Sequence, residues 1–208
     1  MDKNYKLSFT SNSLHLEETV KIAEAYNKSR DWNIVQEIVI NENILQKEKS
    51  STAIREFREI KDRLSCLTDA QLELLMGEDI EMQKHIIFLA ICKTYGFIRE
   101  FVVEVIRHKF TLFQTSIYDS DYDNFYESKA VVYDKLNTIA DTTKAKIRQV
   151  LFKIISQVGI INSAKDKFIS QPFLTPNLIE VVVKDNPELL KVFLLTDTDI
   201  KNSVIKYG

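Results

Sequence analysis

Glycine and proline are scarce in this chain. Its 208 residues hold 4 glycines and 3 prolines, against average usage of roughly 7% and 5%. These residues supply the tight turns of hairpin-rich folds. Their scarcity argues against a sandwich, a barrel or a collagen-like chain and favours helices. Gly77, Gly96, Gly159 and Gly208 lie far apart. Neither a GxGxxG dinucleotide loop nor a GxxxxGK[ST] phosphate loop can be written, and there is no GxSxG nucleophile elbow. Cysteine is equally rare. Cys66 and Cys92 both fall in apolar-periodic stretches and are expected as reduced core thiols of a cytoplasmic protein.

Long apolar runs are missing too. The opening MDKNYKLSFTSNSLHL has none of signal-peptide length. The most apolar region, 85–110, is interrupted by Lys93, Arg99, Glu100, Glu104, Arg107 and Lys109. It falls short of the roughly 20 uninterrupted apolar residues a membrane span needs, so two buried helices and no membrane contact are expected. Neither sign of charge dominates: 28 Lys and Arg against 30 Asp and Glu leave a formal charge of −2. With 45% hydrophobic residues, the chain reads as globular rather than disordered.

What is present is helical periodicity. The apolar spacing predicts helices over 16–28 and 32–41, the second with Asp31 as its N-cap. After a polar linker, Ser51 is expected to cap a helix with the stripe Ala53, Ile54, Phe57, Ile60, Leu64 and Leu67. Thr68 and Gln71 form a capping-box pair for a short helix ending at Gly77. Helices over 79–95 and 97–109 follow, with Gly96 expected as the stop between them. The segment 110–118 is read as extended or as a joint. Helices are then expected over 121–132, 134–139 and 141–158, the last capped by Asp141 or Thr142 and ended by Gly159. Ile160-Ile161 and Phe168-Ile169, flanking a polar turn, read as two short strands. Pro176 opens a further helix and Asn186-Pro187-Glu188 opens the final one. The sum is an all-α, or nearly all-α, protein in two parts. Residues 1–112 are helical with helix-turn-helix-like character, and residues 113–208 have the helix, helix, helix, β-ribbon order of a winged helix.

Sites for chemistry are not found. His15, His85 and His108 make no HExxH, and the cysteines make no CxxC. No metal, cofactor, catalytic residue or small-molecule substrate is therefore expected. Asp119, Asp121, Asp123 and Glu127 begin like a calcium loop. Asn124 and Ala130, however, stand where an EF-hand needs Gly at position six and Glu at twelve. They read instead as an acidic helix start favoured by the macrodipole.

Positive charge is organised in two places. On the helix from Ser51, Arg55 and Arg58 stand opposite the apolar stripe, Lys61 is on its flank, and Lys47 and Lys49 lie just ahead. Glu56, Glu59 and Asp62 are interleaved there, so the expected surface is mixed, either a solvated face of ion pairs or a helix presented to DNA. Between Thr142 and Lys165 the bases are Lys144, Lys146, Arg148, Lys153 and Lys165, and no carboxylate occurs. Lys146, Gln149, Lys153 and Ser156 share the outward face, where lysines can meet phosphates and Gln149 can meet a base edge. Lys165 and Lys167 fall in the wing. The competing reading pairs these cations with acidic neighbours such as Asp119 to Asp123.

The same segments carry a family likeness. YKLSFTSNSL, the Asp31-Trp32 pair, ENILQKEKSSTAIREFREIKDRL, ICKTYGFIREFVVEVIRHKF and TKAKIRQVLFKIISQVGII resemble the A component of bacteriophage-exclusion (BREX) phage-defence systems, over nearly the whole chain. One departure is that the family often has a glycine pair after SFT, where this chain has Ser11-Asn12. The resemblance implies a small, mostly helical, cytoplasmic accessory protein without enzymatic activity. Its implied partners are double-stranded DNA and other BREX proteins. It transfers no contact residues. A rival reading is a protein–protein adaptor using the Tyr and Phe clusters of 110–126.

Overall fold

A computed structural model describes residues 5–11 and 13–208. The expected departure at Asn12 lies outside the described residues. The architecture is almost entirely helical. Its elements are a 3-10 turn Ser8–Ser11, α1 (Leu16–Ser29), α2 (Trp32–Asn41), α3 (Ser50–Leu64), α4 (Asp69–Leu75), α5 (Ile80–Thr94) and α6 (Gly96–Glu100). A π-helical stretch Phe101–Arg107 continues α6 into α7 (His108–Thr111). Then come α8 (Asp119–Val132), α9 (Asp134–Asn137), α10 (Asp141–Gln157), α11 (Pro176–Asp185), a 3-10 helix Pro187–Phe193 and α12 (Asp197–Tyr207).

The contacts divide the chain into two compact units. The cut falls elsewhere than at 112/113. Leu14–Thr94 forms one unit, and the segment up to Ser13 joins Tyr95–Gly208 in the other. The physical reason lies in the helical run 96–111. Phe97 and Phe101 pack with Tyr122, Phe125 and Phe152 of the later helices, at centroid distances of 5.2 to 6.5 Å. Such edge-to-face pairs each add about 0.5–1.5 kcal/mol beyond area burial.

In the Leu14–Thr94 unit, α5 is the centre. Met82 and every residue from His85 to Cys92 are buried, the mark of a helix enclosed on all sides. This accounts for the apolar run without a membrane, and among the described residues no helix is long and apolar enough to cross one. Asp31 caps α2 by accepting from Asn33 N at 2.8 Å, and Thr68 and Gln71 form the expected capping box on α4. Trp32 stacks on Tyr26 at 4.0 Å. Two local expectations are corrected. α3 starts at Ser50, with Lys49 in the N-cap place and no side-chain cap, so Ser51 is already helical. Gly96 is not a stop but the first residue of α6; Tyr95, extended at φ −117°, makes the break.

In the other unit, the aromatic cluster is flanked by an N-terminal strap. Tyr5 lies 4.1 Å from Tyr133 and 5.4 Å from Phe97, centroid to centroid, and its hydroxyl donates to Glu100. Burial and the Glu100 carboxylate push that phenol well above its ordinary range. Phe9 is fully buried against Tyr95. Tyr126 donates to Leu136 O and Asn137 donates to Ala130 O, both at 2.8 Å, which fixes the turn through α9 into α10. Ala140, not Asp141 or Thr142, holds the N-cap position of α10, without a side-chain cap. Gly159 ends it in the left-handed conformation, φ 75°.

The expected pair of strands is present only as antiparallel bridges, Ile161 with Ile169 and Ser116 with Phe168. Asn162 N donates to Phe168 O at 3.0 Å and Ile169 N to Thr115 O at 2.8 Å, so the 167–169 segment lies between 115–117 and 160–162. At the C-terminus the helix expected from Pro187 is a 3-10 helix, and α12 follows it. Thr196 and Asp199 form the capping box of α12, a signal visible in the sequence. Arg107 ties the run 96–111 to this end, donating to Leu195 O at 2.8 Å and pairing with Asp197 at 2.9 Å.

Candidate nucleic-acid interface

α10 buries Ile147, Val150, Leu151, Phe152, Ile154 and Ile155. The 3.6-residue period then turns Lys146, Gln149 and Lys153 to solvent, and all three are exposed. Lys146 and Lys153, seven residues apart, sit about 10 Å apart along the axis at about 1.5 Å per residue. Lys146 Nζ donates to Gln149 Oε1 at 3.1 Å. Among the described residues neither lysine meets a carboxylate. The Gln149 oxygen keeps a second lone pair, so its amide is still able to address a base edge.

Arg148, Lys167 and Lys144, by contrast, are compensated. Arg148 reaches Asp119 at 2.5 Å and Asp123 at 3.3 Å, both on α8, and lies over the Tyr122 ring. Lys167 also pairs with Asp119. Lys167 and then Arg148 hold the Asp119 carboxyl below the usual carboxylate range. Lys144 is 3.5 Å from Asp141 and lies over Tyr126. Lys165 is exposed at the tip of the 162–167 turn, where Asn162 Oδ1 accepts from Ser163 N and Phe168 N. The acidic run at the start of α8 is thus used internally. Asp121 pairs with Lys109 at 2.7 Å and accepts from Tyr118 N.

The α3 face differs from expectation. Glu56 and Glu59 are 6% and 7% exposed, so two of the three interleaved carboxylates point inward. Arg55, Arg58 and Lys49 are exposed, and among the described residues none of them pairs with a carboxylate. Lys61 is half-buried over the Trp32 ring, 5.7 Å from its centroid. Glu56 instead meets Lys47 at 3.2 Å and His15 at 3.0 Å. This His15–Glu56 convergence, which Glu18 joins at 3.7 Å, crosses from α1 to α3 and had no signal in residue spacing.

Half of the aromatic residues singled out for an adaptor surface are core. Tyr122, Phe125 and Tyr126 are buried. In that segment only Leu112, Phe113 and Tyr118 are exposed large hydrophobic residues, Phe113 at 93%.

These features define a mostly helical protein with a basic face on α3 in one unit and another on α10 in the other. Its nearly complete helicity is shared with a crystal structure of an uncharacterized protein from Magnetospirillum magneticum. That structure has a TM-score of 0.81 at 18% identity and covers 92% of this chain and 98% of that one. The BrxA family model matches residues 3–186, so the chain belongs to the BrxA family, the A component of BREX. It is 30% identical to the BREX protein BrxA of Bacillus cereus (strain H3081.97) over 85% of this chain and 88% of that protein. To the BREX protein BrxA of Escherichia coli O9:H4 (strain HS) it is 23% identical, over 76% and 75%.

Proposed function

We propose that the chain is a non-enzymatic, cytoplasmic double-stranded DNA-binding component of a BREX phage-defence system, working beside other BREX proteins. The observation that carries this reading is the exposed Lys146–Gln149–Lys153 face of α10, free of carboxylates among the described residues. Its setting supports it. The order is helix 96–111, bridge, α8, the short α9, α10, bridge, turn, bridge. We read this order as similar to that of a winged helix, with α10 as its recognition helix and Lys165 on its wing.

The mechanism is electrostatic. Lysines displace counterions condensed on the duplex, and each phosphate engaged contributes about −0.9 to the log–log salt slope. Lys146, Lys153 and Lys165 offer contacts from one unit, and Arg55 and Arg58 of α3 offer theirs from the other; engagement of about four phosphates gives a slope near ~−3.6. Lys49 and Lys61 flank the α3 face. Lys144 and Arg148 contribute only when phosphates draw them from Asp141, Asp119 and Asp123. Affinity is modest because a formal charge of −2 gives no global attraction.

The test is a duplex mobility-shift assay at two salt concentrations, comparing wild type with Lys146→Glu/Lys153→Glu. The variant is expected to lose affinity and keep its helical circular dichroism. Unchanged retardation would overturn the reading. The adaptor alternative rests on the exposed Leu112, Phe113 and Tyr118. It predicts that Phe113→Ala loses co-purifying BREX partners while DNA retardation stays as it was.

A further inference from the structure

We infer that His15, Glu18 and Glu56 form a site for one divalent transition-metal ion of the zinc type. The three residues lie within the Leu14–Thr94 unit, and their ligand atoms all fall within 4.8 Å of one another. His15 Nδ1 is 3.0 Å from Glu56 Oε1 and 3.7 Å from Glu18 Oε1. A tetrahedral ion with bonds of about 2.0–2.1 Å holds its ligands roughly 3.3 Å apart, so these separations bracket a coordination edge.

Proximity alone would describe an ordinary ion pair. A second observation separates the two cases. Glu56 is 6% exposed, and its Oε1 is buried without a hydrogen-bond partner although His15 Nδ1 stands 3.0 Å away. A protonated imidazole bonded to that carboxylate would aim its N–H along the line between them. Two ligands of one ion aim instead at a shared third point, and leave each other unbonded. A buried carboxylate oxygen without a donor is costly unless something positive satisfies it.

The surroundings suit such an ion. His15 adopts the left-handed conformation, φ 52°, at the N-cap position of α1, uncommon for a residue with a side chain. Lys47 Nζ lies 3.2 Å from Glu56 Oε2, so the second oxygen is held and Oε1 is presented alone, as outer partners do for metal-binding carboxylates. One imidazole and two carboxylates favour zinc, manganese or cobalt over soft-ligand copper or all-oxygen calcium. Three protein ligands leave a fourth position for water. Glu18 belongs to α1 and Glu56 to α3, so the ion pins the start of α1 to α3.

The test uses the full chain stripped of metal. Zinc chloride titrated calorimetrically is expected to bind at one equivalent, and cobalt(II) is expected to give the intense visible bands of a low-symmetry site. His15→Ala and Glu18→Gln should each lower zinc affinity at least about tenfold and abolish the cobalt bands. His85→Gln and His108→Gln should change neither. Glu18 is 31% exposed in its side chain, so its amide isostere keeps the fold, checked by circular dichroism, even if changes at buried Glu56 do not. No saturable uptake, or uptake that survives both His15→Ala and Glu18→Gln, overturns the proposal.

Discussion

In the fold the two basic faces depart in opposite directions from their local charge counts. The stretch 142–165 contains no carboxylate, yet its Arg148 is neutralised by Asp119 and Asp123, brought over on α8, as is Lys167 just beyond it by Asp119. The α3 stretch alternates bases and acids, yet its Glu56 and Glu59 are buried, which leaves Arg55 and Arg58 to solvent. Local charge counts therefore mislead in both directions. What decides the field of a helix face is where each carboxylate points, and which carboxylates arrive from elsewhere in the fold.

The largest expected effect lies at α10. Reversing Lys146 and Lys153 to Glu removes two phosphate contacts. At 0.1 M salt this costs about 60-fold in duplex affinity, because two contacts at about 0.9 log units each scale with salt tenfold below the molar reference. Reversing Arg55 and Arg58 tests whether the α3 face is an equal partner. A loss of about tenfold, one contact's worth, is expected by titration of a labelled duplex. A loss matching that of the α10 pair would make the two faces equivalent.

A substitution at α8 is expected to act with the opposite sign. Asp119→Asn should strengthen duplex binding about three- to tenfold, because one less charge restrains Arg148 and Lys167. Stability should fall by at most about 1 kcal/mol, the range of exposed ion pairs, measured by urea unfolding. The smallest effect is a change of slope. Burial holds the His85 imidazole below its ordinary 6.5, against the opposing pull of Glu81 and Asp79. The unfolded chain takes up that proton first, so stability present above pH 6.5 is lost as pH falls toward the lower folded value. His85→Gln should flatten that part of the stability–pH curve.

Much of the helical layout was legible in the sequence because its signals are local. Asp31, the Thr68–Gln71 box and Gly159 mark helix ends through side-chain and backbone geometry that needs no tertiary partner. The run YKLSF proves structural in the same way: Tyr5 and Phe9 are anchors of the aromatic core. Gly96 misled because Tyr95, not the glycine, breaks the chain direction. The aromatic residues 122–126 misled because a surface cluster and a core cluster share one composition, and only packing against Phe97 and Phe101 separates them. The candidate interface was legible for Lys146, Gln149 and Lys153, where helical period alone sets exposure. It was not legible for Arg148, whose partners are 25 and 29 residues away in sequence, nor for His15 with Glu56, which meet across two helices.

The most direct measurement is the salt dependence of duplex affinity for wild type beside Lys146→Ala/Lys153→Ala. Wild type is expected to show a log–log slope near ~−3.6 and the variant a slope shallower by about 1.8. Parallel slopes, with or without a change in affinity, would contradict the claim that this face of α10 meets the phosphates.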